Sequence, residues 1–218
     1  MREERANDFV LDMLAQQVLE FGQFTLKSGR RSPYFFNLGA IDSGDGIRRL
    51  GSAYAERLRT LGYVFDVIAG PAYKGIPIAV STSIDMAATG HPVGVAYNRK
   101  ERKEHGEGGV LVGMPLAQRK VVIVDDVLTA GTAVLEFASL VRESGGHLVA
   151  VLVALDRQEY IEGGTQTALE TISGELSVPV ESIAGLDDVV RCIKNDPKYH
   201  EILTELTNYQ HAHCRVVE

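Results

Sequence analysis

The sequence predicts an α/β fold, a parallel β-sheet flanked by helices, from three observations. Short apolar runs alternate with helical patterns through the middle of the chain, and several of those runs end in glycine-rich or acidic turns. The length of 218 residues suits one domain with a small appendage. Strand, helix, strand in this rhythm implies right-handed crossovers and a sheet covered on both faces. In such sheets ligands sit in the crevice at the carboxyl ends of the strands.

Each element follows from its local pattern. Phe9, Val10, Met13, Leu14, Val18 and Leu19 recur at helical spacing across residues 8–21, predicting an opening helix that stops near Gly22. Residues 23–39 mix aromatics, Ser, Gly and Pro with the cations Lys27, Arg30 and Arg31, which predicts short strands and turns outside the main repeat. A second helix fits residues 47–61. Strands are expected at 64–69, 93–97, 121–124 and 148–155, with helices at about 76–89 and 133–144 between them. A helix near 165–173, a strand near 178–183 and a helix near 186–193 finish the body, and a polar tail follows Asp196. No internal repeat or low-complexity linker interrupts this order.

Composition removes several classes of function. The chain is 45% hydrophobic and 23% charged, ordinary globular material. Its formal charge of −7 argues against a general nucleic-acid binder and, taken globally, against a polyphosphate substrate. Cys192 and Cys214 are too few and too far apart for a disulfide framework and form no CxxC pattern, which fits a reducing, cytoplasmic compartment. The first ten residues lack the apolar core of a signal peptide, and no apolar run approaches the ~18 residues of a membrane span. Glycine is over-represented, at 22 residues or about one in ten, against a usual share of ~7%.

The most informative segment is Val121-Val122-Ile123-Val124-Asp125-Asp126-Val127-Leu128-Thr129-Ala130-Gly131-Thr132-Ala133. A buried-type strand runs into two carboxylates, a short turn and then a helix. The N–H groups and dipole of a helix N-terminus bind anions, the Thr129 and Thr132 hydroxyls add donors, and Gly131 admits close approach. The carboxylates suit sugar hydroxyls or a hydrated Mg²⁺. The competing reading is structural, an acidic pair capping the next helix. No GxGxxG follows a strand, and residues 70–75 have P-loop spacing but are followed by Ile76-Pro77 rather than Lys-Ser/Thr, so dinucleotide-binding and P-loop readings fail.

This segment resembles the phosphoribosyl pyrophosphate (PRPP) motif of the type I phosphoribosyltransferases. Phe24-Thr25-Leu26-Lys27-Ser28-Gly29-Arg30 with Ser32-Pro33-Tyr34-Phe35-Phe36-Asn37, Gly70 to Gly75, Asn98-Arg99-Lys100-Glu101 through Lys103-Glu104-His105-Gly106-Glu107-Gly108-Gly109, and Leu155-Asp156-Arg157-Gln158-Glu159 narrow the resemblance to the orotate phosphoribosyltransferases. The resemblance implies a type I phosphoribosyltransferase fold in a single domain over residues 1–218, with a small hood built from about residues 20–40. It also implies transfer of the phosphoribosyl group of PRPP to orotate in pyrimidine biosynthesis, with Mg²⁺ carried by PRPP rather than by direct protein ligands.

The residue roles carried by the resemblance are specific. Asp125 and Asp126 hold the ribose hydroxyls, directly or through water and Mg²⁺, and the turn Val127, Leu128, Thr129, Ala130, Gly131, Thr132, Ala133 cradles the 5′-phosphate. Tyr73 and Lys74 hold pyrophosphate in a loop that often contains a non-proline cis peptide, and Lys27 reaches PRPP. Arg99, Lys103 and His105 contact the pyrophosphate end, while Lys100 enters the active site of a second subunit, implying a homodimer. Lys103, His105, Asp125 and Asp126 are the catalytic candidates. Orotate lies along the backbone of Phe35 and Phe36, near Thr129, with Arg157 on the base.

The residues alone support blander readings beside these. Residues 98–109 read as a solvated, mobile loop, Phe35-Phe36 as core, and residues 70–75 as a tight turn with a solvated lysine. His211, His213 and Cys214 read as an exposed tail rather than a metal clip. Two other functions are weighed: a purine phosphoribosyltransferase, which shares the acidic motif, and a PRPP-sensing regulator, which needs a DNA-binding element this chain does not display. The global charge misleads because the proposed site gathers Lys27, Lys74, Arg99, Lys100, Lys103 and Arg157, and Gly70, Gly75, Gly106, Gly108, Gly109 and Gly131 fall in the three anion loops.

Overall fold

Val121, Val122, Ile123 and Val124 are all fully buried. Successive strand side chains point to opposite faces, so this segment must be covered on both sides. Val121 and Ile123 pack with Val134, Phe137, Val141 and Ile172, whereas Val122 and Val124 pack with Leu50, Tyr54, Ile78 and Leu152. The two hydrophobic cores lie on opposite faces of one sheet.

The structure, a computed structural model, describes residues 2–26, 29–103 and 109–215, with only the backbone for 100–103 and 109. The chain runs α1 (Arg2–Ala15), β1 (Leu19–Thr25), β2 (Arg31–Phe36), α2 (Gly44–Leu61), β3 (Val67–Gly70), α3 (Gly75–Ala88), β4 (Gly94–Lys103) and β5 (Gly109–Gly113). It continues through β6 (Lys120–Val127), α4 (Thr132–Glu143), β7 (His147–Asp156), α5 (Ala168–Leu176), β8 (Val180–Gly185), α6 (Leu186–Ile193) and α7 (His200–His213). β1 and β2 form their own antiparallel pair, and the main sheet has the order β5-β4-β3-β6-β7-β8. Every neighbouring pair in that sheet is parallel except β4–β5. The carboxyl ends of β3, β6, β7 and β8 therefore open on one side.

Four expectations are corrected. The opening helix stops at Ala15, not near Gly22, because Gln17 takes a left-handed conformation (φ 55°) and the Gln17 and Val18 amides bond back to Leu14 and Met13, a C-terminal motif usually built on glycine. The β3 strand begins at Val67, and Val64 is 73% exposed. Residues 98–109 do not form one loop: β4 continues to Lys103 and pairs with β5, an antiparallel edge on an otherwise parallel sheet. The stretch after Asp196 is no tail, since α7 buries Leu206 and Tyr209 against the core.

Capping explains the smaller shifts. Ser43 accepts from the Gly46 amide, so α2 starts at Gly44. Thr167 and Glu170 form a capping box that starts α5 at Ala168. Between α2 and α3 the approach is close enough that a Cβ on Gly51 would lie 2.5 Å from the backbone carbon of Ser81. Gly51→Ala is therefore expected to destabilise the protein by about 1–3 kcal/mol through overpacking, read as a lowered denaturant midpoint at unchanged slope.

Candidate active site

The doubly buried run of β6 ends at Asp125, which is 8% exposed, and Asp126 is half-buried beside it. Leu128 turns into the core while Thr129 and Ala130 are exposed. Gly131 then adopts φ 69°, a left-handed conformation, and a Cβ there would collide with the Ile172 side chain of α5. The chain enters α4 at Thr132 with no side-chain cap and no acidic residue in the first turn. The capping reading of the acidic pair therefore fails, and the first-turn N–H groups of α4 are left for an anion.

Two supports hold this strand end. The Tyr54 hydroxyl, fully buried on α2, donates to the Asp125 carbonyl at 2.7 Å. Lys74 reaches Asp126 at 2.6 Å, joining the loop after β3 to the end of β6. That loop is compact because Gly70 and Gly75 approach so closely that a Cβ on either would strike the other's backbone. The Ala72–Tyr73 peptide is cis, as the resemblance implied, and the Ala72 amide donates to Asn98 Oδ1 of β4 at 2.7 Å. Lys74 is thus paired rather than simply solvated. Tyr73 is 68% exposed.

A second cluster lies past the end of β7. Arg157 is buried, with its guanidinium carbon 4.3 Å from the centre of the Tyr34 ring. Its Nε and Nη2 donate to Glu159 Oε1 at 2.9 and 2.6 Å, and Nη2 also donates to Ser32 Oγ at 3.2 Å. Glu159 Oε2 accepts from Arg30 at 3.2 Å, and Oε1 accepts from the Tyr209 hydroxyl of α7 at 2.6 Å. Burial alone would lower the Arg157 pKa, but Tyr34 and Glu159 raise it above the usual arginine value, so the cation is permanent. Burial and the bond to Glu159 push the Tyr209 phenol up to about 12.

Of the other sequence-predicted residues, Lys27 and His105 lie outside the described residues. Lys100 and Lys103 lie on the β4 backbone, and Arg99 is half-buried on the same strand. Phe36 turns into the core, whereas Phe35 is 38% exposed and stacks on Phe24 at 5.4 Å. The expectation of an exposed tail at His211, His213 and Cys214 is overturned in part: Cys214 is buried and bridges to Glu159 as an isolated β-pair. No group of three potential metal ligands occurs among the described residues. Sequence reasoning assigned no role to Tyr54, Asn98, Glu159 or Tyr209. Only Asn98 and Glu159 carried a signal, as parts of the resembling segments.

Burial, and then the neighbouring charge of Asp126, raise the Asp125 pKa to about 7, against a bond from the Asp126 amide and the charge of Lys74. An acid whose folded pKa exceeds its unfolded value binds more protons when folded, so its contribution to stability falls as pH rises from about 4 to about 7. Asp125→Asn is expected to exceed the parent in denaturant resistance at pH 8 by on the order of 1–4 kcal/mol, with the difference vanishing below about pH 4.

The family of phosphoribosyl transferase domains matches residues 40–180. An orotate phosphoribosyltransferase from Nitrosococcus oceani is 46% identical over 205 residues, covering 94% of this chain and 93% of its own length. One from Legionella pneumophila is 47% identical over 204 residues, covering 94% and 95%. The fold is similar to the crystal structure of orotate phosphoribosyltransferase from Francisella tularensis, with a TM-score of 0.86 and 32% identity over 95% of this chain and 100% of that one. A crevice with an acidic strand end before an open helix N-terminus, and relatives that match over more than nine-tenths of both chains, lead to one conclusion: the chain belongs to the orotate phosphoribosyltransferase family.

Proposed function

We infer that the crevice at the carboxyl ends of β3, β6 and β7 is where this chain carries out its family's reaction, transfer of the phosphoribosyl group of PRPP to orotate in pyrimidine biosynthesis. The products are orotidine 5′-monophosphate and pyrophosphate. The observation that carries the site assignment is the uncapped, acid-free start of α4 directly behind Asp125 and Asp126. It offers N–H donors to a 5′-phosphate while the carboxylates accept from ribose hydroxyls.

The orotate ring nitrogen attacks the anomeric carbon of the ribose as the bond to pyrophosphate breaks, the leaving oxygen taking the electron pair and the nitrogen's proton passing to pyrophosphate or water. No protein nucleophile is required, so the residues contribute positioning and charge neutralisation. Lys74 and Tyr73 receive pyrophosphate from the β3 side. Arg99 and Lys103 of β4 and His105, from the residues between β4 and β5, meet it as well, Lys27 meets PRPP from the residues between β1 and β2, and the backbone of Phe35 and Phe36 with Thr129 and Arg157 frames the base. Two adjacent carboxylates fit a hydrated Mg²⁺ carried by PRPP, which Asp125 and Asp126 would hold through water. When bound, that ion neutralises charge on the pyrophosphate.

We further propose a single domain with β1 and β2 as its hood, working as a homodimer in which Lys100 serves the partner's site. Val80 and Ile84, one turn apart on α3, are 38% and 64% exposed and supply apolar surface for a second copy. Two free cysteines suit a reducing cytoplasm. No helix among the described residues is long and apolar enough to cross a membrane.

Mixing the protein with orotate, PRPP and Mg²⁺ should consume orotate absorbance. Turnover on a purine base instead, or PRPP binding with no turnover on any base, would overturn the assignment. Lys103→Ala should lower kcat by roughly a hundredfold or more, as expected for loss of a charge-stabilising donor. The PRPP dissociation constant should move much less, and equal losses in both would remove the transition-state role.

A further inference from the structure

We propose that Glu159, held by Tyr209 and by the C-terminal segment of the chain, is the positioning residue that aims Arg157 at the base. The proposal rests on the reading above that Arg157 meets orotate. It extends that reading to the C-terminal helix.

The geometry constrains Arg157 on three sides. Its Nε and Nη2 edge is committed to Glu159 Oε1, Nη2 is shared with Ser32, and one guanidinium face lies on the Tyr34 ring. Among the described residues Nη1 has no hydrogen-bond partner, so its N–H donors are the ones that remain for an incoming anion. Glu159 is equally committed. Oε1 accepts from Arg157 and Tyr209, and Oε2 accepts from Arg30. With those bonds in place it orients its partner rather than meeting substrate.

The backbone around Glu159 is clamped from the same quarter. The Tyr160 amide donates to the His213 carbonyl at 2.9 Å, and the Arg215 amide donates to the Gln158 carbonyl at 2.8 Å. Glu159 and Cys214 form the bridge between them. Tyr209 adds ring contacts to Tyr34 at 6.1 Å and to His213 at 5.0 Å. The end of α7 and the residues after it therefore fix both the main chain and the carboxylate that hold Arg157.

The test uses the full-length enzyme with steady-state kinetics for both substrates. Glu159→Gln should raise the KM for orotate roughly tenfold or more, the scale expected for losing charged hydrogen bonds. Tyr209→Phe, which keeps the ring contacts, should raise it by a smaller factor. In both variants the KM for PRPP should stay close to the parent's; the melting temperature should stay close to it in Tyr209→Phe and fall in Glu159→Gln, which leaves the buried Arg157 cation without its carboxylate. Adding Glu159→Gln to Arg157→Ala should raise the orotate KM no further than Arg157→Ala alone. A raised orotate KM in Arg157→Ala alone, with parental values in Glu159→Gln and Tyr209→Phe, would overturn the positioning role. Parallel increases for orotate and PRPP would also overturn it, by showing a general structural defect. A parental orotate KM in Arg157→Ala would instead overturn the placement of orotate on that residue.

Discussion

Burial of β6 on both faces is the constraint on which the site depends. From Val121 to Val124 every side chain is inside a core, on one face or the other. A charged group in that run would cost several kcal/mol in desolvation. Polar chemistry can therefore begin only past Val124, and Asp125 stands at that point, beyond the pairing with β3 but still paired with Val153 of β7, with most of its surface covered. The same parallel arrangement brings the ends of β3, β6 and β7 to one side. Residues far apart in sequence, such as Lys74 and Asp126, meet there without any long loop.

Two like charges at the end of a buried strand repel, and the neighbouring elements answer that repulsion. Lys74 pairs with Asp126, burial and Asp126 raise the Asp125 pKa to about 7, and Tyr54 fixes the β6 backbone at Asp125. The start of α4 supplies a positive dipole end without an acidic residue to quench it. The local field thus differs in sign over a few residues: carboxylates on the strand, N–H donors on the helix. A chain with a net charge of −7 accommodates a polyanion because the relevant length is the Debye length of ~8 Å, not the diameter of the protein.

Much of this was legible in the sequence because buried parallel strands read as uninterrupted apolar runs. The segment from Val121 to Ala133 announced both the strand and the site. Other features failed for identifiable reasons. Gln17 ends α1 in a conformation usually signalled by glycine, so the helical periodicity seemed to run on. The β5 strand has only Val110, Leu111 and Val112 as its apolar run, and the charged residues before it suggested a loop. The α7 helix did carry a pattern, Ile202, Leu203, Leu206 and Tyr209, but it was obscured by the polar residues on its outer side. Tyr54 and Tyr209 act through contacts 71 and 50 residues away in sequence, which no local pattern encodes.

The anion site and the proposed base pocket draw on different parts of the chain. Lys74, Asp125, Asp126 and the start of α4 all fall within residues 40–180, the region shared with phosphoribosyl transferase domains generally. Arg157 and its partner Glu159 also fall there, but the other groups around them come from elsewhere. Ser32, Tyr34 and Arg30 belong to the β2 segment and Tyr209 to α7, on either side of the shared region. A common core that binds phosphoribosyl groups can therefore be given a base preference by what the two ends of the chain pack around one arginine. The C-terminal helix then belongs to the proposed base pocket as well as to the hydrophobic core, since it holds Glu159 through Tyr209 while burying Leu206.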